Sequence, residues 1–186
     1  TDDSADRVAG LRRVRLLQHG ANLGKGAALL TGFRAAAGLA DWAITLDADG
    51  QHDPKDAWRL MAAVPAGARA IVVGRREGMA ATPAPWTSRF GRGCSNCWVR
   101  AAGGPAVADT QSGFRLYPLP ETLDLRVRAR RYQFEVEVLV KAAWRGLPVR
   151  EAPVGVVYPP AGERISHCRP WVDFGRNTAV FSRLIF

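Results

Sequence analysis

Cysteine is scarce in this sequence: only Cys94, Cys97 and Cys168 occur among 186 residues. An odd count without a framework argues against a secreted scaffold held by disulfides. Cys94 and Cys97 have CxxC spacing, but zinc needs further ligands, and only Cys168 and the scattered His19, His52 and His167 could supply them. A redox pair belongs near the start of a thioredoxin-like βαβ unit, which this segment is not. Free thiols on or near a helix are expected. No apolar run approaches the roughly 18 residues of a membrane span, and no signal-peptide pattern opens the chain. Internal repeats, low-complexity tracts and dividing linkers are also absent, so one domain over residues 1–186 is expected.

Acidic residues are the minority, 17 Asp and Glu against 26 Lys and Arg, for a net charge of +9. That balance suits an anionic partner: nucleic acid, an acidic membrane surface or a phosphorylated substrate. It is also what a merely soluble basic surface looks like. No aromatic–basic platform of the RNA-binding kind is present, so nucleic acid is not the expected partner; a basic nucleic-acid-binding module remains the rival reading. The 47% hydrophobic content is enough to fill a core and excludes disorder.

The apolar pattern predicts a short strand over Val14–Gln18, a glycine-rich turn, and a helix over Ala27–Leu39 ending near Gly38. Trp42–Leu46 reads as a strand buried on both faces. Asp53 caps a helix opened by Pro54 and running to about Ala63. Ala70–Gly74 is a further buried strand. This βαβαβ rhythm implies an α/β domain with a parallel sheet flanked by helices. Beyond a loop over Arg75–Pro85, the pattern predicts a helix over Trp86–Ala102 and a short strand over Asp109–Tyr117. A helix over Phe134–Arg145 ends at Gly146. Val149–Tyr158 contains Pro153 and so reads as an edge or bent strand. Pro159–Arg169 reads as a loop, and residues 170–186 as an amphipathic C-terminal helix.

Two segments carry chemistry. Asp47 and Asp49 stand two residues apart just past the end of an apolar strand, where α/β sheets bind ligands. In a tight turn both can face one cation, with Gln51 adding a neutral oxygen. Mg²⁺ or Mn²⁺ takes such ligands together with phosphate oxygens. The bland alternative is a solvated turn with helix-capping aspartates. An EF-hand is excluded, because its sixth and twelfth positions would be His52 and Trp58 rather than Gly and Glu. Gly24-Lys25-Gly26 at a helix start could present backbone N–H groups to a phosphate, with Lys25 near a diphosphate or base; otherwise it is a turn and cap. It is not a P-loop, because the glycine spacing is wrong and Gly26 follows Lys25.

Asn22-Leu23-Gly24-Lys25-Gly26, then Leu46-Asp47-Ala48-Asp49-Gly50-Gln51-His52-Asp53-Pro54, resembles family 2 glycosyltransferases, in particular the polyprenyl- and dolichyl-phosphate sugar synthases. Asp109-Thr110-Gln111-Ser112-Gly113-Phe114-Arg115 and Phe134-Glu135-Val136-Glu137 resemble that group's later signatures. The resemblance implies a GT-A fold: one α/β domain with a mostly parallel sheet and a metal-dependent donor site. It places Asn22, Lys25, Asp47 and Asp49 at the nucleotide-sugar donor, and Asp47, Asp49 and Gln51 at a divalent cation. Asp109 and Arg115 would face the sugar and the acceptor phosphate, and Glu135 and Glu137 would form an acceptor-side acidic pair. Ser166 lies where the group has a mobile acceptor segment. Catalysis would then rest on Asp49, Asp109 and Arg115. The family's N-terminal nucleotide-binding strands have no counterpart before Thr1, a segment of about 40 residues by ordinary βαβ length. An inactive fragment is therefore an alternative.

An anionic phosphate acceptor needs positioning and partial neutralisation rather than a base. Arginine suits this, and Arg115, Arg128, Arg130, Arg131 and Arg164 are the candidates. A hydroxyl acceptor would instead need a carboxylate base, for which Asp109 is the first candidate. Trp171, Phe174, Phe181 and Phe186 interleaved with Arg169, Arg176 and Arg183 suit a helix on an anionic membrane surface, or one packed on the core. The expectation is an inverting enzyme moving sugar from a UDP- or GDP-sugar to a polyprenyl phosphate, peripheral at the cytoplasmic face of the membrane. Transfer to a glycan or lipid hydroxyl is the alternative.

Overall fold

The computed structural model describes residues 4–77 and 86–157. In chain order they form α1 (Ser4–Ala9), α2 (Lys25–Ala36), β1 (Trp42–Thr45), a 3₁₀ turn (Pro54–Asp56) leading into α3 (Ala57–Ala62), β2 (Ile71–Glu77), α4 (Trp86–Ala101), β3 (Arg115–Pro118), α5 (Leu119–Asp124), α6 (Phe134–Trp144) and β4 (Val149–Gly155). The strands make one four-stranded sheet in the order β1-β3-β2-β4.

The sheet departs from the mostly parallel expectation in an informative way. β2 pairs with β4 in parallel, Ile71 opposite Val149. β3 is antiparallel to both β1 and β2, with Thr45 opposite Arg115 and Val72 opposite Leu116. Thus β1, β2 and β4 run one way and β3 alone runs back. The βαβ rhythm placed β1 beside β2, but β3 enters between them from the opposite end. Two of the three pairings among the described strands are consequently antiparallel.

Alternation along the strands distributes the core over two faces. On one face Ile71, Val73 and Tyr117 pack with Phe33 of α2, Leu119 of α5, and Phe134, Val138 and Leu139 of α6. The rings of Phe33 and Tyr117 lie 5.0 Å apart, centroid to centroid. On the other face Val72, Leu116 and Val154 pack with Leu60 of α3. Helices therefore cover both sides, the layered arrangement expected of an α/β domain.

Several local expectations hold. Asp53 caps the turn before α3, its side chain accepting from Lys55 N. Gly146 follows α6 at φ +67, the left-handed value that favours glycine. β4, which contains Pro153, is terminal among the described strands of the sheet. Cys94 and Cys97 are free thiols on α4.

Others do not hold. Val14–Gln18 forms no strand; its residues are exposed and none of the described strands pairs with them. Apolar composition alone cannot make a strand, because the ladder needs a neighbour. β1 is only partly covered, with Ile44 39% exposed, since it too ends the sheet of described strands. The regular part of the predicted strand over Asp109–Tyr117 is confined to β3, because Asp109–Phe114 spends its polar groups on loop contacts. The predicted loop at 159–169 and the amphipathic helix at 170–186 lie outside the described residues.

Candidate active site

The C-terminal ends of β1, β2 and β4 share one rim of the sheet with the start of β3, because β3 runs opposite to them. Chain reversal at that rim collects the acidic turn after β1, the N-terminus of α2 and the N-terminus of α6. Thr45 Oγ1 donates to Gly113 O at 2.8 Å and ties the end of β1 to the approach to β3.

Lys25 is the first residue of α2 and the hub of the site. Its Nζ lies 2.6 Å from Asp47 Oδ1 and 2.5 Å from Glu135 Oε1. Asp47 sits after β1 and Glu135 in the first turn of α6, so one ammonium joins three elements. Burial alone would lower the lysine pKa, but the charges of Glu135 and Asp47 and their hydrogen bonds outweigh it and hold the group above its ordinary value. Gly113 leaves room for this pair: a Cβ there would collide with Asp47 Oδ2 and stand 2.6 Å from Lys25 Nζ.

The start of α2 is docked rather than open. Gly24 has φ +94, and a Cβ on it would meet Arg130 O at 2.6 Å; one on Gly26 would meet Ala129 O at 2.6 Å. The missing side chains let Ala27 N donate to Arg130 O at 2.9 Å, which satisfies one of the helix's orphan amides. Asn22 Oδ1 accepts from Gly24 N at 3.0 Å and shapes the turn. The Gly24-Lys25-Gly26 turn thus meets the arginine loop, and at Ala27 the amide proposed for a phosphate is already used. A shallow cavity of about 300 Å³ runs beside this turn, lined in part by Leu17, His19, Asn22 and Lys25.

Asp49 is exposed on the acidic turn, and its Oδ1 accepts from Gln51 N at 3.1 Å. Gly50 turns the chain at φ +73. The far side of this turn is pinned to the end of β4 and the residues just after it: Gln51 O accepts from Val157 N at 2.9 Å, His52 Nδ1 lies 3.1 Å from Gly155 O, and Asp56 Oδ2 accepts from Gly155 N at 2.6 Å. The His52 ring also packs on Phe114, with centroids 5.4 Å apart. Asp47 and Asp49 therefore face different neighbours, Lys25 and the loop's own amide. Among the described residues no group of three or more His, Cys, Asp or Glu side chains is placed to hold a metal ion.

The profile described as glycosyl transferase family 2 matches residues 1–109. The chain belongs to this family. A UDP-N-acetylglucosamine–dolichyl-phosphate N-acetylglucosaminyltransferase of Methanococcus voltae is 32% identical over 151 residues, 78% of this chain and 60% of that protein. A polyprenol monophosphomannose synthase of Mycolicibacterium smegmatis is 30% identical over 155 residues, 76% of this chain and 56% of that protein. In fold, the chain matches a glucosyl-3-phosphoglycerate synthase of Mycobacterium tuberculosis, solved with Mn²⁺, uridine diphosphate and phosphoglyceric acid. The TM-score is 0.62 at 20% identity, over 100% of this chain and 63% of that one. The fold is accordingly of the GT-A type. The chain spans about three fifths of the curated relatives' length.

Within this family 2 chain, three expected acceptor-side or catalytic residues sit differently from expectation. Arg115 points into the interior. It is fully buried, and its Nε, Nη1 and Nη2 donate to Ser112 O, Glu135 O and Thr110 O at 2.7–2.8 Å. It braces the loop before β3 against α6, because a buried guanidinium must spend its donors on the nearest carbonyls. Glu137 is also internal. Its oxygens accept from Arg128 N at 3.0 Å and Ala129 N at 2.8 Å, and it pairs with Lys141 at 2.7 Å. These bonds shape the arginine loop. Asp109 is 2% exposed and gripped by Arg76 through two bonds, at 2.6 and 2.9 Å.

Arg128, Arg130 and Arg131 are exposed on that loop, and Arg131 Cγ borders Gly24. Arg164 and Ser166 lie outside the described residues. Sequence reasoning missed Arg76, Asp56 and His52 as organisers of the site, and also Glu151, whose Oε1 accepts from Ala108 N at 2.8 Å. Their partners are 33 to 103 positions away, and no local pattern announces such pairs.

Proposed function

We propose that these residues form the catalytic part of an inverting glycosyltransferase that moves a sugar from a UDP- or GDP-sugar to a polyprenyl phosphate. The observation that carries the reading is the Asp47–Asp49 turn at the ligand-binding rim of the sheet, joined through Lys25 to Glu135 of α6. The relatives named for dolichyl- and polyprenyl-phosphate chemistry support the acceptor class.

The donor set fits a hard divalent ion, Mg²⁺ or Mn²⁺. It offers carboxylate oxygens, one on exposed Asp49 and one on Asp47, with the Gln51 side chain nearby in sequence. With no further acidic or imidazole group placed to help among the described residues, the remaining ligands would be diphosphate oxygens and water. When bound, such an ion would stabilise the charge on the departing nucleoside diphosphate.

The chain's own residues do the rest. Asn22, through its bond to Gly24 N, keeps the start of α2 in place, and Lys25 brings positive charge beside Asp47. The exposed guanidinium groups of Arg128 and Arg131 offer forked donors to an acceptor phosphate. A phosphate monoester, with a second pKa of about 6, arrives deprotonated at neutral pH and needs no base. The clamping of Asp109 by Arg76 supports that choice over a hydroxyl acceptor, which would need a free carboxylate. The same basic loop supports a position at the cytoplasmic membrane face, bound peripherally; no helix of the described residues is long and apolar enough to cross a membrane.

The test is transfer of radiolabelled sugar from UDP- and GDP-sugars to polyprenyl phosphate in the presence of Mn²⁺ or Mg²⁺. Label in the organic phase that is lost on adding chelator is the expected result. Transfer only to a glycan or lipid hydroxyl would overturn the acceptor assignment, and no transfer to any acceptor would overturn the activity.

A further inference from the structure

Asp47 has two claims on it. In the proposed reaction it helps hold a divalent ion, yet in this structure one of its oxygens is 2.6 Å from the Lys25 ammonium. That ammonium also faces Glu135, which is 5% exposed. Glu135 Oε1 has no partner other than Lys25 among the described residues, so this ion pair is what compensates its buried charge. Lys25 is therefore anchored on the Glu135 side by the cost of leaving a buried carboxylate unpaired. The Asp47 contact is the more accessible of the two, with Asp47 35% exposed and Glu135 6% by side chain. Gly113 leaves the space that the Asp47–Lys25 pair fills, since a Cβ there would stand 2.6 Å from Lys25 Nζ.

We propose that Lys25 is an internal counter-cation that occupies Asp47 until a divalent ion displaces it, after which the lysine stays on Glu135. Lys25 is thus a positioning residue acting through Asp47, and it links metal entry at the end of β1 to the first turn of α6. The proposal rests on the metal role given above to Asp47 and Asp49. The physical basis is that two cations cannot share one carboxylate oxygen without strong repulsion, and that each gains from having it alone. The lysine also keeps the acidic turn neutralised, so Asp47 is not left as a bare charge beside buried Glu135.

The experiment measures Mn²⁺ binding to the full chain without nucleotide, by the electron paramagnetic resonance signal of free Mn²⁺. The key variant is Lys25→Met with Glu135→Gln, which removes one positive and one negative charge and leaves the net charge unchanged. Competition predicts that this pair binds Mn²⁺ roughly tenfold more tightly than the parent, the scale of one charge-assisted contact. Adding Asp47→Asn to both proteins should abolish the difference, which a merely structural lysine would not do. Lys25→Gln, neutral and able to donate to both carboxylates, should shift affinity in the same direction and serves if the double variant does not fold. Parent and variant binding Mn²⁺ equally would overturn the displacement while leaving the metal site standing. Binding by neither would overturn this inference, which needs the ion to enter ahead of the diphosphate; the metal reading falls with it only if neither protein binds Mn²⁺ once nucleoside diphosphate is added. Binding by the variant alone would support both.

Discussion

Two glycines of the same helix should respond in opposite directions to the same substitution. Gly32 lies within α2 with nothing inside 4 Å of where a Cβ would stand. Replacing it with alanine removes only the backbone freedom of glycine, a gain of about 0.5–1 kcal/mol. Gly26 lies one residue after Lys25, and its Cβ would stand 2.6 Å from Ala129 O, 2.7 Å from Phe134 Cβ and 2.9 Å from the Arg130 carbonyl carbon. Two of these are backbone atoms of a loop already held by Glu137, so they cannot swing aside. Overpacking of this kind costs about 1–3 kcal/mol. Loss of the Ala27 N to Arg130 O bond adds about 1 kcal/mol. Set against the helix-propensity gain, Gly26→Ala should destabilise by about 1–3 kcal/mol, and at about 2–4 °C per kcal/mol the two variants should melt on opposite sides of the parent. Urea denaturation with unchanged m-values is the assay. Gly26→Ala should also weaken donor-dependent activity, because α2 carries Lys25 away from Glu135 as it lifts from the loop; Gly32→Ala should not. Midpoints moving the same way in both variants, or a neutral Gly26→Ala, would refute the close packing of α2 on residues 129–134.

Other expectations follow from the same contacts. Arg115→Met removes three hydrogen bonds to carbonyl oxygens and should cost about 3 kcal/mol in stability, at about 1 kcal/mol each, with no phosphate-specific rise in acceptor KM. Glu137→Gln retains one acceptor of two and turns an NH₂ toward an amide N–H, so it should destabilise by about 1–3 kcal/mol and sensitise the 126–131 loop to protease. Asp49→Asn keeps an oxygen for Gln51 N and so should melt like the parent, while losing Mn²⁺-dependent transfer; equal metal-stimulated activity would remove Asp49 from the site. The raised pKa of Lys25 fixes a pH window. A raised folded pKa contributes stability that is full below the unfolded value near 10.5 and is lost as pH rises through the folded one. The stability gap between the parent and Lys25→Met should therefore be constant at neutral pH and close above about pH 10.5; a gap that persists there would mean packing rather than charge holds the residue.

The sequence by itself determined those elements whose signals are local. The alanine-rich run of α2, the Asp53 cap, the Gly146 stop and the buried run that becomes β2 are local signals, set within a turn or a strand's length. The place of Asp47 and Asp49, just past the end of β1, was legible for the same reason, because it follows from where one apolar strand stops. Roles that depend on distant partners were not legible. Whether Arg115 and Glu137 meet a ligand or brace a loop depends on carbonyls and amides brought to them by other elements, and Arg115 has been drawn inward to three of them. The insertion of β3 between β1 and β2 is a pairing of residues some 70 positions apart, and it sets Gly113 against Asp47. Lys25 shows the division most plainly. The chain places it at the start of a helix, but only tertiary structure sets its ammonium between Asp47 and Glu135, because ion pairs form by distance in space and carry no trace of spacing along the chain.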